Sequence, residues 1–555
     1  AASGRAGSRP VPHRTLAQKS FFDACFAAPG CLDEGTLEWW LAHHRDELIP
    51  SWLFDGWRGE GRRGRNAWPA PVLMSLLLLR SENGPMSRCE SARRARRDIA
   101  WRAAMGLPIG GPTPSERTLR RFERFLSTRH PGVGERRYVL LHEHWVRRCI
   151  ADEHVGVGRS WATDSTPMWA FGAAIDTVRL LGDGLAALTL RWSRWTRTSL
   201  EQCAREWDVP FVMAKSTKGA FRIDWKDADA RHRVVDTLAR SVVHVVDAIR
   251  RRIAEAPRAS YRKKLLRRCR HLLGVIANDL TQDEQGRWCV ARRTASDRMV
   301  SLTDPQARHS RKSKSVCFKG YKLHLVGEID SGLIAAVGVT PANVHDGRVA
   351  PRLVRRAKTL CDEMSRLLGD TAYGSASLRH HLAAVHGVDM LAPPPPRTIK
   401  SNTFRKDEFE VDFHRKVARC PAGIESGDVM TSWSSAYGAS FQIFKWPKNT
   451  CDACHLSSRC RGASTQRRRL PLHPHEEELR AAHAQWADPD TRETYRLRSQ
   501  AERLVREMTR RGGRQALAWG LQSAHLQVHL IAMVNNLALL ARAEAHRQRS
   551  ATQAA

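Results

Sequence analysis

The sequence predicts a mixed α/β sheet with helical regions before, within and after it. The stretch FKGYKLHLVGEI (318–329) alternates in polarity, and a DSG turn joins it to LIAAVGVT (333–340), as is typical of a β-hairpin. Two further predicted strands, VGVGRSWATDST (155–166) and RLLGD (366–370), each lead to an aspartate. A helix predicted from about 346 separates the hairpin from the last strand. A strand, a hairpin, a helix and another strand give a mixed sheet.

Residues 37–150 show helical patterns, which break at Asn83-Gly84-Pro85. The later helix TPSERTLRRFERFL begins with a predicted capping box, in which Thr113 is the N-cap and Glu116 reaches back to it. Its surface carries four arginines: Arg117, Arg120, Arg121 and Arg124. The pattern is that of a helix-turn-helix module that contacts a DNA backbone, or equally that of a solvated basic helix.

These patterns divide the chain into segments of different character. They are an irregular segment 1–36, a helical DNA-binding domain 37–150, an α/β domain made of 151–374 and 486–545 with a helical insert at about 176–300, an insertion 375–485 that carries clustered cysteines, and a tail 546–555.

The charge balance indicates a polyanionic partner. Ninety-one Lys and Arg residues against fifty-seven Asp and Glu give a formal net charge of +34 and a pI near 10.6. An arginine-rich genome explains part of this excess, but the basic residues also cluster, which favours nucleic acid. No apolar run approaches the roughly 18 residues of a membrane span. Thirteen cysteines, an odd number, favour a reducing cytoplasm.

Three carboxylates are candidates for a metal site. Asp164 and Asp370 each end a predicted strand, and strand ends on one side of a sheet bring distant residues together. Mg²⁺ binds to one or two carboxylates together with water and substrate phosphates. A third carboxylate, Glu502, shares one face of a predicted helix with Tyr495 and Arg498. On periodicity alone, a solvated helix face is the more common explanation of this stripe.

Taken in order, TDST, the hairpin, LGDTAYG and the helix of Glu502 resemble bacterial insertion-sequence transposases of the DDE class, which carry a Tyr-x2-Arg-x3-Glu signature. The stretches VLMSLLLLR, MGLPIGGPTPSERTLRRF and GLQSAHLQVHLIAMVNNLALLAR are also similar to that family. The resemblance spans about 65–541 and is weakest in 1–60 and 176–300.

The resemblance implies a ribonuclease-H-like sheet in which Asp164, Asp370 and Glu502 hold two Mg²⁺ or Mn²⁺ ions. It implies cleavage at transposon ends and attack of the freed 3′-hydroxyl on target DNA. The partners would be terminal inverted repeats and target DNA, bound by a homodimer in the bacterial cytoplasm at the nucleoid, without a membrane. Tyr495 and Arg498 would hold the phosphate near the cleaved end.

One position departs from the family pattern. The family has a lysine seven residues after the glutamate, where this chain has Thr509. We expect Arg506 and Arg510, on the same helix face, to contact DNA instead. Lys319 and Lys322 in the hairpin are further candidate phosphate contacts. Asp346 is expected to cap the helix that follows it.

The clustered cysteines predict a second metal site. Cys420, Cys451, Cys454 and Cys460 lie within 41 residues and include a CxxC pair, a pattern that fits structural Zn²⁺. His414 or His455 could replace one ligand, and four unliganded thiols are the alternative. A thioredoxin-like role lacks the βαβ context.

Three functions therefore remain open from the sequence. The first is a metal-dependent DNA transposase. The second is a DNA-binding protein that has lost catalysis, although the presence of all three carboxylates speaks against it. The third is a nuclease without strand transfer.

Overall fold

The computed structural model describes residues 24, 28–48, 50–57, 67–256, 258–293, 295–312, 315–396, 403–435, 439–461 and 467–554. Most of the predicted irregular segment 1–36 lies outside these residues. Its described part includes a single 3₁₀ turn, Pro29–Cys31.

The amino-terminal region is helical, as the sequence predicts. Its helices are α1 (Leu37–Leu48), α2 (Ala70–Glu82), α3 (Arg88–Arg97), α4 (Ile99–Met105), α5 (Glu116–Leu126) and α6 (Arg137–Ala151). Helix α2 is buried from Ala70 to Arg80 because its apolar residues occupy every side. The predicted cap of α5 is wrong: Ser115, not Thr113, is the N-cap, and its hydroxyl accepts from the Thr118 N–H.

After strand β1 (Trp161–Trp169), the predicted helical insert forms a unit with its own core. Large apolar side chains such as Trp192, Trp207 and Leu238 are almost fully buried within it. The insert contains α7 (Thr177–Thr196), α8 (Leu200–Glu206), α9 (Thr217–Ala220), α10 (Ala228–Arg251) and α11 (Ala259–Asp279), followed by the two-stranded sheet of β2 (Leu280–Gln282) and β3 (Trp288–Val290).

The central sheet is mixed, which confirms the predicted α/β class. Its further elements are β4 (Arg308–Arg311), β5 (Cys317–Glu328), β6 (Ile334–Pro341), α12 (Ala350–Leu360), β7 (Arg366–Leu368), α13 (Ala376–His386) and β8 (Asp389–Leu391). Strand β5 pairs antiparallel with β4, β6 and β1, and β1, β7 and β8 are parallel. Strand β8 lies beyond residue 374, where the predicted α/β segment ends. It was not predicted because three residues are too few to show a strand pattern.

Strand β1 begins and ends later than the predicted 155–166, so Asp164 lies within it rather than at its end. Its ladder with β5 runs from Trp161 opposite Glu328 to Trp169 opposite Gly320. At Gly320, with φ +153°, an added Cβ would lie 2.3 Å from the Met168 carbonyl oxygen. Glycine therefore allows the last residues of β1 to cross close to β5.

The cysteine-containing segment is a small unit built on short strands. Its core includes Phe409, Phe444, Trp446 and Leu470. It comprises β9 (Glu410–Asp412), β10 (Val417–Arg419), β11 (Asp428–Ser434), β12 (Ala439–Lys445), α14 (Lys448–Asp452), α15 (Ser457–Cys460) and β13 (Arg469–Pro471).

The carboxyl-terminal region is helical but contains breaks that the sequence pattern does not show. Its helices are α16 (Glu476–Ala487), α17 (Pro489–Arg496), α18 (Ala501–Met508) and α19 (Leu521–Ala554). A 3₁₀ turn, Leu497–Gln500, separates α17 from α18. The expected single helix through Tyr495 and Glu502 is therefore tightened in its middle.

Helix α19 is apolar because it lies between two parts of the core. Leu530 and Val534 pack with the amino-terminal helices, and Val528 and Ile531 pack with the sheet. The stretch Leu521–Gln553 is long and apolar enough to cross a membrane, but 83% of its most apolar window is buried. The helix also continues to Ala554, through the predicted tail 546–555.

Candidate catalytic site

Asp164 and Asp370 lie on neighbouring parallel strands. Ala162 of β1 pairs with Leu368 of β7, the last pair of that ladder, and Asp164 and Asp370 each follow two residues later. Neighbouring strands are roughly 4.8 Å apart, and residues two positions apart share a face. Although Asp164 lies within its strand, it is close enough to Asp370 for that carboxylate to act to raise its pKa.

Asp164 is 9% exposed and has two hydrogen-bond partners. Its Oδ2 accepts from Arg498 Nη2 at 3.1 Å, and its Oδ1 accepts from the Ser165 N–H at 2.8 Å. Burial raises the pKa of Asp164, while Arg498 and the Ser165 N–H act to lower it and Asp370 and Asp346 to raise it further. Asp164 is therefore a buried carboxylate among like charges, with one cationic partner.

Asp370 is both a turn residue and part of this carboxylate group. Its Oδ1 accepts from the Ala372 N–H at 2.9 Å and so caps the 3₁₀ turn Thr371–Tyr373. The Tyr373 side chain is buried beside the same acids. Its pKa is raised well above the usual range by burial first, and then by Asp346, Asp164 and Asp370. Tyr373 of LGDTAYG is therefore a buried neighbour of the three aspartates.

Glu502 faces outward from α18. The adjacent Ala501 and Leu504 are buried in the core that covers the sheet, so α18 is fixed against β1 and β5. Among the described residues, Glu502 has no hydrogen-bond or ion-pair partner. In the same part of the chain, the carboxylate oxygens of Asp164, Asp370 and Glu502 do not all lie within 4.8 Å of one another. Glu502 is therefore an exposed acid on the helix that packs against β1, the strand of Asp164.

Tyr495 and Arg498 link the carboxyl-terminal helices to this region. Arg498 reaches Asp164 across 334 positions of sequence, and its buried Nε has no hydrogen-bond partner among the residues that the structure describes. Burial raises the pKa of Tyr495, Arg498 acts to lower it, and Asp370 and Asp164 act to raise it. The ring of Tyr495 packs edge-on against Trp486 with centroids 4.8 Å apart. Tyr495 and Arg498 of the stripe therefore face Asp164 and Asp370, whereas Glu502 is exposed.

Asp346 is not the helix cap that the sequence suggested. It follows His345, which caps the 3₁₀ turn Asp346–Arg348, and its own carboxylate contacts the strands. Oδ2 accepts from Ser165 Oγ at 3.0 Å, and Oδ1 accepts from Lys322 Nζ at 2.8 Å. A fourth acid and its lysine partner therefore lie next to Asp164. In the sequence, the only indication that Asp346 lies near the site is that it closely follows strand β6.

The structure separates the predicted DNA-contacting residues into two groups. In the first, Lys322 bonds Asp346, Arg120 pairs with Glu116, and Arg510 pairs with Glu82 and Glu507. Exposed side chains without an ion pair to any described residue form the second group: Arg117, Arg121, Arg124, Lys319 and Arg506. Within it, Arg121 lies over the ring of Trp57 at 5.7 Å.

Helix α11 has a basic surface whose residues were not among the predicted DNA contacts. Lys263, Lys264, Arg267 and Arg270 are exposed and have no ion pair among the described residues. Arg268 is half-buried, and burial first, then Arg191 and Arg267, lower its pKa. No acidic residue occurs in α11 before Asp279 at its end. The run RKKLLRRCR indicates this surface in the sequence. It contains no acidic residue, unlike the other long helices of the insert, in which arginines form ion pairs with acids four positions away.

A cleft of about 750 Å³ lies between the amino-terminal helices and the segment leading into α19. Arg120 and Arg124 of α5 line it, together with Arg511, Phe171 and Trp519. Phe171 and Trp519 are both at least half exposed, and their rings form an edge contact at 5.6 Å. The cleft is basic and aromatic, a composition suited to nucleic acid.

The four clustered cysteines line one small cavity. Cys420, Cys451, Cys454 and Cys460 surround a space of about 30 Å³ under Trp446. Burial raises the pKa of Cys460, and the other three thiols also act to raise it. The four predicted ligands therefore line one cavity, and neither His414 nor His455 does. Among the described residues, no three of the four sulfur atoms lie within 4.8 Å of one another.

Comparisons with family models match three parts of the chain. A model described as Transposase domain (DUF772) matches residues 43–124, and two described as Transposase DDE domain match 286–407 and 419–541. The chain belongs to the insertion-sequence DDE transposases. No curated protein and no solved structure matches it. The matches to this transposase include Asp370 and Glu502 but leave out Asp164 and most of the insert, so the place of Asp164 rests on the register of β1 and its bond to Arg498.

Proposed function

We propose that this transposase cleaves DNA at the ends of its element and joins the freed 3′-hydroxyl to target DNA. The observation that carries the proposal is the Asp164–Arg498 contact beside Asp370. It brings together strand β1, the end of the neighbouring strand β7, and the segment that carries the Tyr-Arg-Glu signature. This arrangement supports a ribonuclease-H-like catalytic domain.

The donor atoms suit hard divalent cations. Asp164, Asp370 and Glu502 offer oxygen ligands only, which Mg²⁺ and Mn²⁺ prefer. The raised pKa of Asp164, due to burial and then modulated by its neighbours, marks a place where added positive charge is favourable. These three residues would hold two ions, which supply activation of the attacking oxygen and stabilisation of the leaving oxygen.

The surrounding side chains have separate roles in this proposal. Arg498 neutralises Asp164 in the structure and lies close enough to the site to contact a DNA phosphate as well. Tyr495, whose ring packs against Trp486, lies next to Arg498 and would line the phosphate-binding side of the site. The Lys322–Asp346 pair holds Ser165 and so fixes the β1 backbone around Asp164.

DNA binding is supported by basic surfaces on which several exposed cations, among them Arg117, Arg121 and Arg124, have no acidic partner among the described residues. The exposed arginines of α5, the basic cleft and α11 provide phosphate contacts on three parts of the surface. We infer that transposon-end and target DNA bind across these surfaces. Pairing two transposon ends requires two active sites, which favours a homodimer in the DNA complex.

The cysteine cavity supports a structural Zn²⁺ site. Four thiols around one small space can supply a tetrahedral Cys₄ ligand set. The short strands of this unit bury few apolar side chains, and a metal would add to their stability. The ion would hold the unit together and take no part in cleavage.

The decisive assay combines purified protein, Mg²⁺ or Mn²⁺, DNA with the element's terminal inverted repeats, and a separate target DNA. We expect nicking at the repeat ends and joined products. Binding without nicking would instead indicate a DNA-binding protein that has lost catalysis. Nicking without joining would indicate a nuclease. Either result would overturn the proposed function.

A further inference from the structure

Two histidines and a glutamate outside the catalytic site form a compact group. His380 lies on α13, His475 is the residue before α16, and Glu478 lies in the first turn of α16. One ligand atom from each lies within 4.8 Å of the other two. Nearly one hundred positions of sequence separate His380 from its two partners, so the fold and not local sequence brings them together.

The geometry directs both imidazoles to the same carboxylate. His380 Nδ1 lies 2.6 Å from Glu478 Oε1, and His475 Nδ1 lies 3.7 Å from the same oxygen. The two rings stack with centroids 4.1 Å apart and an interplanar angle of 22°. Neighbouring His473 accepts a hydrogen bond from the His475 N–H at 3.0 Å, which holds the His475 backbone in place.

We propose that His380, His475 and Glu478 bind a divalent transition-metal ion, with Zn²⁺ as the best fit. Two imidazoles and one carboxylate suit zinc, whereas Mg²⁺ prefers oxygen ligands. The site therefore differs in chemistry from the all-oxygen catalytic group and from the all-sulfur cavity. The side chains remain 26–47% exposed, which leaves room for water to complete the coordination.

The position of the site gives the ion a structural role. Helix α13 packs beside β8 at the edge of the sheet, and α16 leads through α17 to the residues Tyr495, Arg498 and Glu502. An ion that joins α13 to α16 would fasten the end of the cysteine-containing unit to the catalytic domain. The inference does not depend on whether the protein cleaves DNA.

The test counts metal ions in the full-length protein. Metal-stripped wild type is titrated with Co²⁺ and, separately, with Zn²⁺ by calorimetry. Thiolate-bound Co²⁺ gives intense charge-transfer absorption in the near ultraviolet, and a site of imidazole and carboxylate does not, so the two sites are counted separately. We expect one ion per chain beyond those that give thiolate absorption and beyond any that are lost in Asp370→Ala, which removes a ligand of the all-oxygen catalytic group.

The variants His380→Ala and Glu478→Gln should each lose that one ion, and the rise in Tm that Zn²⁺ produces should shrink. His381→Ala, the next residue on α13, is the matched control and should bind as the wild type does. Glu478→Gln preserves the side-chain shape, and equal Tm values of the metal-free proteins would show that the fold is intact. Unchanged ion counts in both variants, or no ion beyond the thiolate site in the wild type, would overturn the proposal.

Discussion

The basic surface of α11 allows a quantitative prediction about DNA binding. Lys263, Lys264 and Arg267 are exposed and have no ion pair with any described residue. If each contacts one phosphate, the triple alanine variant releases three fewer counterions on binding. The slope of log K against log salt concentration should then become less steep by about 2.7, since each contact contributes about 0.9. Fluorescence anisotropy with a labelled duplex, measured at several salt concentrations, gives this slope.

The insert also supplies a control with the same change of charge. Arg179, Arg240 and Arg287 are exposed but form ion pairs with acids four positions away. Their triple alanine variant should leave the slope close to the wild-type value, because these charges are already partly neutralised. The reasoning would be refuted if the α11 variant kept the wild-type slope, or if the control lost as much.

Three further predictions concern single residues. Asp164→Asn should abolish cleavage yet leave the metal-free protein at least as stable at pH 7, because burial raises the pKa of Asp164 and ionisation therefore costs folding free energy. That cost grows as the pH rises above about 4 and disappears below this pH. Thermal melts should therefore show the variant at least as stable as the wild type at pH 7, and the two Tm values should converge at acid pH. A less stable variant at pH 7 would contradict this. Tyr321→Phe removes one of two donors to Oδ1 of buried Asp304, the other being the Gly520 N–H, while Oδ2 has no partner among the described residues. The change should lower the free energy of unfolding by about 2 kcal/mol in urea titrations, whereas an unchanged midpoint would refute the role of this bond. Cys451→Ser should reduce the zinc content measured by elemental analysis by one ion per chain, and an equal content would argue against the thiolate site.

Residues carried by long or specific patterns were predictable from the sequence. The hairpin β5–β6 followed from strict alternation around a glycine turn, and Tyr321, Leu323 and Leu325 are indeed buried on one face. Asp370 and Glu502 lie in motifs whose order along the chain is specific. The mixed sheet and the helical regions followed from the same periodic signals.

Features set by tertiary contacts were not predictable in this way. Strand β8 has only three residues, and its place in the sheet depends on pairing with β7. Asp346 looked like a helix cap, but its bond to Ser165 arises only when distant strands meet. The same holds for His380, whose partners lie almost one hundred positions later. The spacing of charged residues also does not reveal the 3₁₀ turn before α18. An α-helix and a 3₁₀-helix both place residues three positions apart on nearly the same side, so the two give similar patterns.

The central claim is that Asp370 belongs to a catalytic carboxylate group and is not only a turn residue. The most direct test is cleavage of inverted-repeat DNA by Asp370→Ala in Mg²⁺, with DNA binding measured on the same preparation. Asp362→Ala is the control, because Asp362 is a fully exposed acid just before β7. We predict that Asp370→Ala binds DNA normally but cleaves at least about 100-fold more slowly, since even residues that only support metal ligands contribute 10–100-fold. Cleavage by Asp370→Ala at the rate of the wild type and of Asp362→Ala would contradict the account.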